Sequence, residues 1–249
     1  TSGNILQTLF VALLVGFALQ AMGESGRPVL KAVTYIQAVV FRLLMMVMWL
    51  APLGAFGAIA AVVGATGVQA ITSMLVLMLA FYITCALFII VILGLMLKIV
   101  TGVNIFSLMK YLAREYLLIF STSSSEAALP RLIAKMEHAG VDKTTVGVVV
   151  PTGYSFNLDG TCIYLTMAAL FIAQAFGIDL GAGQYAMIIL TATLASIGTA
   201  GIPGAGLIML GLVLTAAGLP LEGVALIAGI DRILDMARTT VNVAGDLMT

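Results

Sequence analysis

Hydrophobic positions in this chain run on for long stretches without a charge. From Leu43 to Leu97 no residue is charged, a run of 55, and Leu180 to Leu221 gives another of 42. One membrane crossing needs about 20 apolar residues, so each run predicts more than one segment. Residues 4–23 predict a first span, closed by Gly23 and the polar turn Glu24-Ser25-Gly26-Arg27, with Pro28 suited to the first turn of the next helix. A long second segment over 28–64 carries Arg42 and is expected to kink at Pro52 without ending there. After the break at Gly64 to Gly67, residues 69–100 predict a third span, apolar almost all round and closed by Lys98.

Beyond residue 100 the apolar pieces become too short to cross a membrane and are interrupted by small polar residues. Residues 104–140 predict a helical hairpin whose tip is the run Ser121 to Ser125, with its second arm starting at Glu126. Residues 142–176 predict a helix broken between Gly153 and Gly160, and 181–217 a second hairpin with the tip Ser196 to Gly206. A last helix covers 220–249. A hairpin followed by a helix bearing Asn and Asp thus occurs twice, the pattern of an inverted repeat with a midplane binding site in transporters. Lys98, Lys110, Arg114, Arg131, Lys135 and Lys143 surround the first hairpin, against only Asp179 and Glu222 around the second. The positive-inside bias then has the first hairpin entering from the cytoplasm and the second from the opposite face. Their tips are expected to meet near mid-membrane and to line a cavity, because non-helical backbone at that depth needs protein or water around it.

Composition agrees: 62% of residues are hydrophobic and 9% charged, with a mean hydropathy of +1.18. The fold class is an all-α, multi-span integral membrane protein with two re-entrant hairpins, broken helices and an inverted repeat. The net charge of zero and the lack of a basic block leave nucleic-acid binding without an electrostatic basis. Cys85 and Cys162, in apolar surroundings, read as small buried thiols. The chain opens Thr-Ser-Gly-Asn without an initiator Met or basic leader, so its first apolar run reads as a membrane helix and not a signal peptide, with residues expected before Thr1.

The candidate chemistry lies at 231–246. If helical, Asp231, Asp235, Arg238, Asn242 and Asp246 fall within an arc of roughly 80°. A charge in the bilayer centre costs about 2.5–3.5 kcal/mol on insertion scales, so such a stripe points to function. The Arg238 guanidinium suits bidentate capture of a carboxylate; pairing with Asp235 or Asp231 at helical spacing is the other reading. Asp159 and Asp246 with Asn157 and Asn242 offer the oxygen-only shell that hard cations prefer, and no thiolate or imidazole cluster suggests zinc or iron. His138, in a charged run, reads as a solvated residue. The serine run is either a polar loop capping the helix of Glu126 or a set of hydroxyls and amides facing an anion. Met45, Met46 and Met48 read as lipid or helix contacts.

Four motifs in order resemble those of the dicarboxylate/amino acid:cation symporters, the glutamate transporter family. They are the serine run with Pro130, Asn157 to Thr161, Ser196 to Gly206, and Asp235 to Asp246. The resemblance spans the chain and implies further helices before Thr1. It implies that Arg238 takes a side-chain carboxylate and Asp235 an ammonium, assisted by Thr239 and Asn242. Ser124, Ser125 and the backbone near Ile202 and Gly206 would hold the main-chain carboxylate, and Thr161 and Met209 would line the pocket. One sodium ion would sit among Gly153, Asn157, Asn242 and Asp246, and a second between Ser155 and the carbonyls of Ser196, Ile197 and Thr199. Asn157 and Asp159 would share a third with a helix outside this sequence. Residues 1–68 would be part of a trimeric scaffold and 69–249 an elevator-type transport domain, gated by the Gly-rich hairpin, in a multi-pass plasma (inner) membrane protein forming a homotrimer.

Within the family, an acid at Asp235 together with Arg238 implies glutamate or aspartate as substrate, and Asp246 favours sodium coupling while leaving protons open. Leu158 replaces the usual Met, Ser123 stands where archaeal members carry an Arg, and Met236 where animal members carry theirs; potassium counter-transport is not implied. The expectation is therefore sodium-driven import of acidic amino acids, with no enzymatic activity and no bound cofactor. The alternatives are proton-coupled glutamate or C4-dicarboxylate symport, an anion channel and, more distantly, an intramembrane aspartyl protease.

Overall fold

In the computed structural model the described residues are 5–67, 69–197, 199, 201 and 203–248, and among them every regular element is helical. They divide into two compact units, Thr1–Gly57 and Ala58–Thr249. In the first, α1 (Ile5–Ala21) leads through a 3-10 turn (Gly23–Gly26) to α2 (Arg27–Met48). That turn seats so closely on α1 that a Cβ on Gly26 would lie 2.7 Å from the Leu19 carbonyl oxygen. The ion pair Arg27–Glu24, 3.0 Å long, is solvent-exposed on both sides and so adds little.

The expected single segment over 28–64 is in fact two helices. α2 ends at Met48 and, after two intervening residues, α3 (Ala51–Thr66) begins. Pro52 falls in the first turn of α3, where its missing N–H leaves no intrahelical bond unmade, and so it opens a helix where a kink was expected.

After the end of α3, the second unit continues with one continuous helical rod over Ile71–Thr101. It comprises α4 (Gln69–Leu87), a π-helical stretch (Phe88–Leu93) and α5 (Gly94–Thr101), ended by left-handed Gly102. α6 (Ile105–Tyr111) is capped by the Asn104 side chain and followed by α7 (Ala113–Thr122) and α8 (Leu129–His138). The helix expected to start at Glu126 therefore begins at Leu129, because Pro130 fixes its first turn. Lys135 joins α8 to α6 and α7: its Nζ donates 2.8 Å to the Tyr111 carbonyl and pairs at 2.6 Å with Glu115.

Next come α9 (Lys143–Phe156), capped by Asp142, and α10 (Asp159–Ala175), separated only by Asn157 and Leu158 in non-helical conformation. Together they form the second helix long and apolar enough to cross a membrane, after Ile71–Thr101. α11 (Ala182–Ile197) and α12 (Ala205–Ala216) pack side by side. The final segment is not one helix: a 3-10 turn (Leu221–Gly223) and the short α13 (Val224–Ala228) precede α14 (Asp231–Met248).

α14 is the axis of this unit. α10, α7, α4 and α9 pack around it, and Leu234, Val241, Val243 and Ala244 are buried on sides away from the polar stripe. Small residues permit the approach: a Cβ on Gly160 would run into the Arg238 carbonyl, so α10 and α14 meet backbone to backbone. A stripe enclosed in this way must find its partners inside the protein.

Candidate functional site

All five stripe residues are buried, Asp235 and Arg238 to 1% and 3% exposure. Arg238 Nη2 pairs with Asp235 Oδ1 one turn back on α14. Thr239 Oγ1 donates to the same oxygen at 3.2 Å, and the amide of Gly204 donates to Asp235 Oδ2 at 3.1 Å. Gly204 can do this at the start of α12 because its left-handed φ of 80° turns the chain there. The pairing of Arg238 with Asp235, one of the two readings of the spacing, is thus present.

The guanidinium also lies over the Tyr164 ring, 4.7 Å from its centroid, and Tyr164 Oη donates 2.7 Å to Asp231 Oδ1. Gly206 makes room for the other nitrogen: a Cβ there would overlap Arg238 Nη1 and lie 3.0 Å from the Tyr164 ring. Among the described residues Nη1 is buried without an acceptor. A buried donor of an ionised group left in this way is costly unless something else accepts from it.

Four residues along α14 from Arg238, Asn242 exchanges two bonds of 3.1 Å with Thr161: its Oδ1 accepts the Thr161 amide and its Nδ2 donates to the Thr161 hydroxyl. Ser125, Leu158, Thr161, Thr199, Gly201, Asp235, Arg238, Thr239 and Asn242 enclose a cavity of about 10 Å³, the room of one water. Residues from the α7–α8 and α11–α12 connections therefore converge on α14. Of the residues singled out for substrate, Gly206 abuts Arg238, Met209 is buried on α12, and Ser124 is half-buried without lining the cavity. Ile202 lies outside the described residues.

One turn beyond Asn242, Gly153, Asn157, Asp159 and Asp246 come together around Gly245. A Cβ on Gly153 would sit 3.0 Å from Asp246 Oδ1, and one on Gly245 would meet Asp159 Oδ2 and, at 3.1 Å, Asn157 Nδ2. Asp246 Oδ1 and Asn157 Nδ2 are buried without partners among the described residues. An unpartnered carboxylate oxygen among oxygen donors fits a hard cation. Asn242, expected to face this group, directs both side-chain polar atoms to Thr161.

The residues of the second expected cation set have partners of their own. Ser155 is exposed with its hydroxyl on the Pro151 carbonyl at 3.4 Å, and the Ser196 carbonyl accepts the Thr199 amide at 3.1 Å. Thr199 lines the cavity, and half-buried Ile197 only ends α11. Of the two readings of the serine run, the cap of a helix starting at Glu126 is not seen, since Leu129 opens α8 and Ser123 is the left-handed residue ending α7. Among the described residues no three His, Cys, Asp or Glu gather as a metal group, and His138 is exposed at the end of α8. Cys162 donates to Ser196 Oγ at 3.1 Å, and neither cysteine is in a disulfide.

Tyr164, Gly204 and Arg232 were not singled out by sequence. Tyr164 stands one turn from Thr161, which was the available signal; Arg232 donates at 3.2 Å to each of the Ser121 and Thr122 carbonyls.

Residues 1–249 match the profile of a family described as the sodium:dicarboxylate symporter family. The chain is 51% identical over 247 residues to a C4-dicarboxylate transport protein of Deinococcus radiodurans, covering 99% of this chain and 56% of that one. It is 50% identical over 245 residues to one of Xanthomonas campestris pv. campestris, 98% and 54% of the two chains. It is 48% identical over 246 residues to one of Yersinia pestis, 98% and 57%. The chain thus spans about half the length of these curated relatives.

Proposed function

The chain belongs to the sodium:dicarboxylate symporter family, and from that membership we propose that the full-length protein carries a four-carbon dicarboxylate across the membrane by cation symport. The observation that carries the reading is the buried guanidinium of Arg238, held by Tyr164 and Asp235 with Nη1 left without an acceptor. A substrate carboxylate arriving there gains a charge-assisted bond in a dry site. The second carboxylate goes to the serine tip, where Ser125 lines the same cavity. A space of about 10 Å³ cannot hold such an acid. Entry therefore requires the tip carrying Gly201 and Gly204 to withdraw and the Gly204 bond to Asp235 to break.

The names of the relatives support the dicarboxylate reading over specific import of acidic amino acids. One observation favours a second reading beside it, that the diacid bears an ammonium, as aspartate and glutamate do. Asp235 is buried beside Arg238, and with the guanidinium taken by a carboxylate it would need a new cation. The coupling ion, in this reading sodium, goes to Asp246, Asn157 and Gly153. Re-entrant hairpins, an inverted repeat, a homotrimer and elevator movement complete the proposal in the form the sequence resemblance gives them. Membership in a symporter family argues against the protease alternative.

Counterflow in proteoliposomes tests the substrate class. Efflux-driven exchange of labelled succinate should be competed by unlabelled C4 diacids and not by neutral amino acids. Exchange of labelled aspartate that unlabelled succinate does not compete, with no exchange of succinate itself, would select the second reading, and no exchange with any diacid would remove both.

A further inference from the structure

The C-terminal end of α7 is held by an arginine of α14. α7 stops at Thr122, so the carbonyls of its last turn have no amide one turn on to accept from. The Ile119 carbonyl takes the amide of Ser123 at 2.7 Å, the bond that closes a helix through a left-handed residue, here Ser123 at φ 53°. Two further carbonyls, those of Ser121 and Thr122, are taken by Arg232 Nη2, each at 3.2 Å, across more than a hundred residues of chain. A cation at a helix C-terminus meets both the unmade bonds and the negative end of the helix dipole.

Arg232 stands on α14, the helix that presents Arg238 to the cavity, and its grip is on the residues that immediately precede Ser123, Ser124 and Ser125. The spacing between Ser125 and Arg238, both in the cavity wall, is thereby tied to one rigid element at both ends.

We propose that Arg232 is a positioning residue that fixes the serine tip to α14 and so sets the span between the two carboxylate-binding ends of the site. This rests on the dicarboxylate reading above. A fixed span selects diacid length: a four-carbon acid bridges it, whereas a five-carbon acid must distort the tip. Loosening the tip relaxes that choice without touching the guanidinium that binds substrate.

The test uses the full-length protein in liposomes, with Arg232→Gln and Arg232→Lys. In R232Q the preference for succinate over glutarate, as a ratio of Vmax/KM values, should fall about tenfold, chiefly through KM for succinate, as loss of charge-assisted bonds predicts. R232K, which keeps the charge on a shorter reach, should recover part of the preference. A spin label on Ser121→Cys, with Cys85 and Cys162 replaced by Ala, reads the anchor without transport: its spectrum should become more mobile in R232Q. An unchanged spectrum overturns the anchor, and a mobile label with an unchanged succinate to glutarate ratio overturns the role in length selection. If the parent protein takes up neither diacid, the substrate class fails while the label spectrum still decides the anchor.

Discussion

The guanidinium of Arg238 rests on the ring of Tyr164, 4.7 Å from its centroid, and Tyr164 is itself fixed by a 2.7 Å bond to Asp231. The relay runs from Asp231 to Tyr164 to Arg238, so the first acid of the stripe acts on the site through an aromatic ring of α10. Tyr164→Phe keeps the ring and strands a buried Asp231 oxygen. It is expected to cost about 1–3 kcal/mol of stability, the range for an orphaned buried acceptor. That lowers the unfolding midpoint measured in detergent. Substrate KM should rise with it. An unaltered midpoint would show that Asp231 does not depend on the tyrosine hydroxyl.

Gly206→Ala tests the space reserved for Arg238. The new methyl would occupy the position of Nη1 and lie 3.0 Å from the Tyr164 ring, so the buried guanidinium stacked on that ring would have to leave its place. Uptake should fall by at least about a hundredfold, as when a bidentate charged contact worth roughly 3 kcal/mol is lost, with membrane insertion retained. Near-normal uptake by G206A would mean that Arg238 does not need this position.

The stripe itself was legible because helical spacing places Asp231, Asp235, Arg238, Asn242 and Asp246 on one arc, and all five are buried. All-helical, membrane-family character was equally legible from the long uncharged runs. What spacing cannot give is which other element a side chain meets. The Tyr164 contact with Arg238, the Gly204 amide on Asp235 and the reach of Arg232 to α7 each join residues on different elements. Asn242 illustrates the same limit, because its amide is satisfied on both sides by Thr161 and leaves the carboxylate of Asp246 to other partners. Near Pro52 the sequence admits both a kink and a helix start, and only the break after Met48 decides between them.

Asp235→Asn separates the two substrate readings. The amide keeps the shape, but its single oxygen can accept from Gly204 or from Thr239 and not from both, and it cannot balance an ammonium. If the substrate carries an ammonium, aspartate KM should rise about tenfold or more while succinate is little affected, as expected for removing one buried charge partner. Equal effects on both acids would leave Asp235 with Arg238 as its only charge partner.

Asp142 caps α9, its carboxylate accepting the Thr145 amide at 3.0 Å, and that bond holds its carboxyl below the usual range. A depressed carboxyl contributes stability fully above its unfolded pKa of about 3.9 and loses it as pH falls through the lower folded value. Asp142→Ala should therefore lower the unfolding midpoint at neutral pH, the two proteins converging in strong acid. Asp142→Ser, a cap that does not titrate, should show no such convergence. A D142A deficit that persists at every pH would contradict the capping role.

In the proposed function the buried Arg238 is the carboxylate receptor of a cation-driven dicarboxylate carrier. The most direct test is accumulation of labelled succinate and aspartate by liposomes holding the full-length protein, with an inward sodium gradient, in wild type and Arg238→Gln. Concentrative uptake of at least one of these C4 acids, dependent on the gradient and abolished in R238Q, is the predicted result. Uptake that R238Q leaves intact, or none of either acid under sodium and proton gradients alike, would contradict it.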